Sequence, residues 1–174
     1  MTILGIDPGT ATTGYGLLKQ KKGNFFDFNK ILYGTIKTEP HFSDAQRLKK
    51  IVKNLEKIIK EHKPNYLAIE KIFFFKNVKT IITVSQARGA IILTAAQYRL
   101  RILEFTPLEI KLTIVGYGKA EKIQVQKMVK KILRLKKMPK SDDAADGLAI
   151  ALCGFYFLKS GLSNPFRNIK DSAI

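Results

Sequence analysis

Residues 2–7 read Thr2-Ile3-Leu4-Gly5-Ile6-Asp7 and run straight into Pro8-Gly9. A β-rich apolar run that stops on an acid and then a turn is a buried strand with a polar end. Strand character resumes from Gly14 to Lys19, Lys21-Lys22-Gly23-Asn24 reads as a hairpin loop, and Phe26 to Lys37 supplies a third strand. Sequential strands joined by short turns predict an antiparallel meander.

Beyond the meander the period changes. Ser43 is a plausible N-cap for a helix to about Glu61, because Leu48, Ile51, Val52, Leu55, Ile58 and Ile59 recur at helical spacing. Pro64-Asn65 breaks it, and Tyr66 to Glu70 forms a fourth strand that again ends in an acid. A long apolar helix is expected from about Lys79 to Leu100, then a fifth strand from Ile102 to Phe105. The remainder reads as helices: about Leu108–Ile114, Glu121–Leu135 and Ser141–Leu158, with breaks at Gly116-Tyr117-Gly118 and Met138-Pro139. The order βββαβαβ followed by helices predicts one α/β domain over residues 1–160, a mixed five-stranded sheet flanked by helices, with a loose tail at 161–174.

A chain of 174 residues that is 45% apolar and 26% charged can bury a real core. Its charge is the unusual quantity: 31 Lys and Arg against 14 Asp and Glu, a formal +17. Such a surplus points to a polyanionic partner, nucleic acid ahead of membrane, or more plainly to a lysine-rich composition. No run reaches the roughly 18–20 apolar residues that cross a bilayer, and no signal-peptide pattern opens the chain. The lone Cys153 falls in an apolar helical stretch and reads as a core residue, so a reducing, cytoplasmic setting is expected.

Asp7 and Glu70 end strands, where ligands bind in open sheets. Asp143 and Asp146 lie three apart in Ser141-Asp142-Asp143-Ala144-Ala145-Asp146, on one helical face, while Asp142 points about 100° away. Singly, each acid has a plain structural reading as a turn residue or, at the helix start beside Ser141, as a cap. Jointly they would repel one another and lose solvation unless a hard cation sat among them. Mg²⁺ takes oxygen ligands and keeps waters for substrate phosphates, so a basic chain with an acidic pocket reads as a metal nuclease.

Gly5-Ile6-Asp7-Pro8-Gly9-Thr10 with Thr13-Gly14-Tyr15-Gly16, Leu67-Ala68-Ile69-Glu70, Gln86-Ala87-Arg88-Gly89, Val115-Gly116-Tyr117-Gly118-Lys119-Ala120-Glu121-Lys122 and Asp143-Ala144-Ala145-Asp146 follow in one order. In that order they resemble the RuvC-type Holliday junction resolvases, over roughly residues 1–155. The resemblance implies a ribonuclease H-like fold, a homodimer, paired symmetric nicks in four-way junction DNA, and cooperation with a branch-migration helicase complex. It implies that Asp7, Glu70, Asp143 and Asp146 hold two Mg²⁺ ions, Mn²⁺ being able to substitute, with Asp7 between them. The third position varies between Asp and His in the family; here it is Asp143.

Lys119, Lys122, Lys127, Lys130, Lys131, Arg134, Lys136, Lys137 and Lys140 crowd one segment, with Ile123, Met128, Val129 and Ile132 expected to pack inward. These cations form either a solvated face or a track for phosphates. Lys111 and Lys122 match positions that in the family lie near the scissile phosphate. Phe73-Phe74-Phe75 cannot all point one way from a strand, and Phe73 matches a base-stacking aromatic of the resolvases. His41 and His62 read as surface residues.

Three other readings compete. A ribonuclease H-like enzyme acting on RNA or RNA–DNA hybrids would use the same carboxylates. An actin-like phosphotransferase would need a duplicated domain and a second phosphate turn, which this chain lacks. A non-catalytic DNA-binding module has no use for convergent acids. The expected chemistry is metal-dependent attack of water in line on a DNA phosphodiester, leaving a 5′-phosphate.

Overall fold

The computed structural model describes residues 1–21, 27–72 and 78–160. Strands β1 (Thr2–Asp7), β2 (Thr12–Gln20) and β3 (Phe28–Lys37) come first. Helix α1 (Asp44–His62), β4 (Tyr66–Glu70), α2 (Val78–Gln97) and β5 (Arg101–Phe105) follow, then α3 (Pro107–Val115), α4 (Lys122–Ile132) and α5 (Asp142–Lys159). The sheet order is β3-β2-β1-β4-β5. β1, β2 and β3 pair antiparallel as the expected meander, whereas β1–β4 and β4–β5 are parallel. Lys21 N–H donates to the Asp27 carbonyl at 2.8 Å, so the meander's second turn begins where expected; the rest of that loop lies outside the described residues.

Local chemistry explains most boundaries. Ser43 and Gln46 form a reciprocal capping box at the start of α1, and Lys63, in the left-handed region just before Pro64, ends it. Thr106 and Glu109 repeat the device on α3, whose first residue is Pro107 and whose end is Gly116 at φ 78°. Strand alternation divides the core between two faces. Leu4, Ile6, Leu17, Leu67 and Ile69 pack with Ile51, Leu55, Ile59, Ile91 and Ala95 of α1 and α2. Ile3, Leu18, Ala68, Leu103 and Phe105 pack with α3, α4 and α5, Cys153 among them as expected.

Three expectations are corrected. Ile123 is 47% exposed and Val125 takes its place; Val129 is buried and Met128 and Ile132 pack partly buried beside it, as expected. From Val125, Ile123 is displaced by about 200° around the helix and so faces water. Ser141 occupies the N-cap position of α5, but its hydroxyl donates to Asp143 Oδ2 at 3.1 Å rather than accepting from a backbone amide. His62 is half-buried, its Nδ1 lying 3.4 Å from Lys30 Nζ, because the last turn of α1 lies over β3; His41 is exposed as expected. The tail at 161–174 lies outside the described residues.

Helix α5 reaches the sheet through glycines. Gly5 and Gly16 face each other across the β1–β2 ladder, and Gly14 is paired with Asp7. A Cβ on Gly5 would strike the backbone of Gly147 and Ala151, and one on Gly16 the backbone of Leu148. One on Gly14 would strike the carbonyl of Asp143. From the helix side, a Cβ on Gly147 would strike Tyr15 and Gly16. Backbone therefore lies on backbone, with no side chain between. Gly89 of α2, by contrast, has nothing within 4 Å of the place its Cβ would take.

Gly16→Ala should lower the free energy of unfolding by about 3 kcal/mol or more, because the colliding atoms are backbone and cannot rotate away. Gly89→Ala should raise it by about 0.5–1 kcal/mol, the ordinary gain for alanine in an open helix position. Denaturant melts of the two variants beside the parent check this; equal effects would show that the glycine floor is not required.

Candidate active site

β1 and β4 are paired as far as Ile6 and Ile69, so Asp7 and Glu70 emerge side by side at the same end of the sheet. Alternation turns both toward α5: Asp7 follows Ile3 and Gly5 on that face, and Glu70 follows Ala68. The turn after Asp7 is tied down. Thr13 Oγ1 donates to the Gly9 carbonyl and Thr38 Oγ1 to the Thr10 carbonyl, each at 2.6 Å, while Arg47 Nη1 donates to Thr38 Oγ1 at 2.9 Å. On the other side, α5 starts directly over Gly14, the partner of Asp7, which sets Asp143 against the strand end and Asp146 one turn further. The structure thus brings all four sequence-selected acids to one place.

Their mutual influence is large. Burial first, then the charges of Glu70, Asp146 and Asp143, push the Asp7 carboxyl up to about 8 from 3.8, with Lys122 opposing. Burial and Asp146 push Glu70 up to about 7 from 4.5, again against Lys122. Asp146 is also raised, chiefly by burial, although Lys122 holds it down. Lys122 Nζ lies 2.8 Å from Asp146 Oδ2 and 3.7 Å from Asp142 Oδ2. Burial disfavours its ammonium, but Asp146, Asp142 and Asp7 more than compensate and raise its pKa. Asp142, whose Oδ2 lies near the same ammonium, accepts from Gln126 Nε2 at 2.8 Å through Oδ1, tying α5 to α4.

A cleft of about 200 Å³ opens between the strand ends and α3, α4 and α5. Glu70, Asp146, Lys111 and Lys122 contribute its charges, and Pro107, Ile110, Val125, Ala149 and Ile150 its apolar wall. Lys111 and Lys122 therefore stand where a phosphate beside the acids would meet them. Lys119 is exposed on the loop between α3 and α4 and does not line the cleft. Phe73, with Phe74 and Phe75, lies outside the described residues. Sequence reading misses Arg88, whose Nε donates to the Glu70 carbonyl at 3.2 Å and whose Nη2 pairs with Glu104. A signal for it exists: it is the one charge between Lys79 and Arg99.

Residues 3–154 match the family model described as crossover junction endodeoxyribonuclease RuvC. This chain belongs to the RuvC family. A RuvC from Syntrophomonas wolfei is 50% identical over 153 residues, covering 88% of this chain and 87% of the relative. One from Heliobacterium modesticaldum is 47% identical, covering 94% and 99%. The Thermus thermophilus RuvC solved in complex with Holliday junction substrate superposes with a TM-score of 0.83 at 30% identity, over 92% of this chain and 96% of that one. The resemblance carried by the motifs is borne out, as are the ribonuclease H-like fold and the enzyme class, a nuclease that hydrolyses DNA. No helix among the described residues is long and apolar enough to cross a membrane.

The RuvC resemblance implies metal at these acids, and the donor set can be tested for it. Among the described residues, no three Asp, Glu, His or Cys side chains already stand in a metal-holding arrangement. What faces them is the Lys122 ammonium. Yet the set is hard oxygen donors whose charged forms are disfavoured by burial and by one another, the condition a divalent cation relieves. The residues fit such an ion.

This has a measurable consequence without metal. Between about pH 4 and 8 the folded protein keeps protons on Asp7 and Glu70 that the unfolded chain has lost. The unfolded state then binds fewer protons, so unfolding free energy falls as pH rises through that window and levels off above it. Thermal melts in EDTA should show this decline. Asp7→Asn should flatten it, and Mg²⁺ should raise the melting temperature more at the alkaline end than at the acid end. A decline of equal depth in Asp7→Asn would mean that the acids are not coupled as described.

Proposed function

We propose that this RuvC-family chain resolves four-way DNA junctions by paired symmetric nicks, acting as a homodimer with Mg²⁺ at Asp7, Glu70, Asp143 and Asp146. The observation that carries this reading is the convergence of those four acids, of which Glu70 and Asp146 line a cleft together with Lys111 and Lys122. A relative of closely similar fold, from Thermus thermophilus, was solved with a Holliday junction. Two Mg²⁺ ions per site, for which Mn²⁺ substitutes, supply a lowered water pKa and stabilisation of charge on the leaving oxygen.

The chain's own residues do the rest. Lys111 and Lys122 draw a DNA phosphate to the mouth of the cleft, and Lys119 with the exposed lysines of α4 tracks the neighbouring backbone. The apolar wall of Ile110, Val125 and Ile150 keeps bulk water from one side, strengthening every charge interaction at the phosphate. A water held among Asp7, Glu70, Asp143 and Asp146 attacks in line, and the product strand keeps a 5′-phosphate. Phe73 stacks on an unpaired base at the junction centre. Cooperation with a branch-migration helicase complex and a cytoplasmic setting complete the proposal.

The test is cleavage of a labelled mobile four-way junction, a linear duplex and an RNA–DNA hybrid, with Mg²⁺ or EDTA. Paired cuts confined to the junction, requiring metal, are expected. Asp7→Asn should lower the rate by at least about 10²–10³-fold, the scale of losing one preorganised charge-stabilising group. Cutting of the hybrid in preference to the junction would replace the proposal with a ribonuclease. Asp143→Asn should lose cutting but bind the junction in EDTA as tightly as the parent or tighter, since it removes a negative charge beside the phosphate path. Weaker binding by a folded Asp143→Asn protein would contradict that charge argument.

A further inference from the structure

Helix α2 packs on the sheet face opposite α5, away from the cleft, yet one of its side chains reaches the end of β4. Arg88 Nε donates to the Glu70 backbone carbonyl at 3.2 Å, while Nη2 of the same guanidinium pairs with the Glu104 carboxylate of β5. Glu104 lies one residue before Phe105, the β5 partner of Glu70, and Lys71 N–H donates to the Phe105 carbonyl at 2.8 Å. Arg88 therefore bridges the last turn of the parallel ladder from behind. One planar group holds the backbone that carries Glu70 and the strand beside it.

We infer that Arg88 is a positioning residue: it fixes Glu70 through its backbone, and with it the metal affinity of the site, without touching substrate. The inference rests on Glu70 being a metal ligand. The ion pair is mostly enclosed, its side chains 21% and 25% exposed, so it ties α2 to β5 as well as placing the guanidinium. The geometry adds a positional constraint. A guanidinium presents Nε and Nη in a rigid fork, so one side chain serves a carbonyl and a carboxylate at once; a lysine ammonium on a flexible stem does not reproduce that fork. The strand end also needs holding, because β4 ends at Glu70 and its ladder to β1 stops at Ile69.

The test compares Arg88→Lys, Arg88→Gln and Glu104→Gln with the parent. Glu70→Gln serves as the site control and Ser85→Ala, exposed on the same helix, as the helix control. Mn²⁺ binding is titrated calorimetrically on the full chain, beside junction binding in EDTA, thermal melts, and single-turnover cleavage across a Mg²⁺ series. In the folded Arg88 variants, metal affinity should weaken about 10–100-fold, the usual effect of removing a group that orients a ligand. The Mg²⁺ midpoint for cleavage should rise in parallel, junction affinity should be unchanged, and Arg88→Lys should be the milder of the two. Glu104→Gln, which loosens the guanidinium without removing it, should show a smaller shift in the same direction; it carries the test if the Arg88 variants do not fold. Parental metal affinity in every folded variant would overturn the inference when Glu70→Gln has lost its own. If Glu70→Gln keeps full metal affinity, the assignment of Glu70 fails, and the positioning role fails with it for that separate reason.

Discussion

The contact on which the rest of the structure depends is the seating of α5 on a floor of glycines. A helix laid on a sheet is ordinarily held off by two layers of side chains. Here Gly5, Gly14 and Gly16 remove the lower layer and Gly147 opens the upper one, so backbone meets backbone along the first turns of the helix. That approach is what makes an acid on α5 a neighbour of an acid on β1. Were α5 held a side chain's thickness away, Asp143 and Asp146 would face solvent and Asp7 would keep only Glu70 beside it. The glycines in the strands give up conformational entropy and packing, and the core recovers part of this through Ile3, Leu18 and Phe155, which are almost wholly enclosed.

Close seating creates an electrostatic problem along with the site. Acids drawn together in a partly dry cleft disfavour one another's charge, and the shifts of Asp7 and Glu70 record both causes. Lys122 is the internal answer, bonded to Asp146 and close to Asp142. It answers only partly, because one ammonium cannot balance the set. In the proposed function the remaining imbalance drives the uptake of divalent cations, and the same lysine stands beside a phosphate when one arrives.

Much of this is legible in the amino-acid sequence, for identifiable reasons. Asp7, Glu70, Asp143 and Asp146 each sit where an element begins or ends, so period and punctuation locate them, and their order along the chain carries the family resemblance. The meander, the mixed sheet and the Ser43 cap follow from the same punctuation. The glycine floor is not legible, since glycine within a strand signals weakness until its partner across the ladder is known, and Gly5 opposite Gly16 is a fact of register. Periodicity misplaces Ile123 because the five apolar residues of α4 fit more than one stripe, and packing against α5 chooses Val125 over Ile123 while keeping the expected Val129. The Ser141 hydroxyl fits a helix cap by position, but the Asp143 carboxylate is the stronger acceptor and accepts its hydrogen bond.

Arg88 shows a further way in which a sequence conceals a role. Read along α2, it is a charge in an apolar helix; read through the sheet, it is a contact to the backbone of Glu70. The parallel strands make this possible, because β4 and β5 end together and the Glu70 carbonyl accepts from the α2 side. The two helical layers thereby divide the work. The glycine-seated α5 brings acids to one face of the strand ends, and α2 steadies those ends from the other. An acid cluster that repels itself needs such bracing more than an ordinary strand end does, since every carboxylate gains by moving away until a cation arrives. The stiffness of the sheet's end and the charge gathered there are two sides of one design.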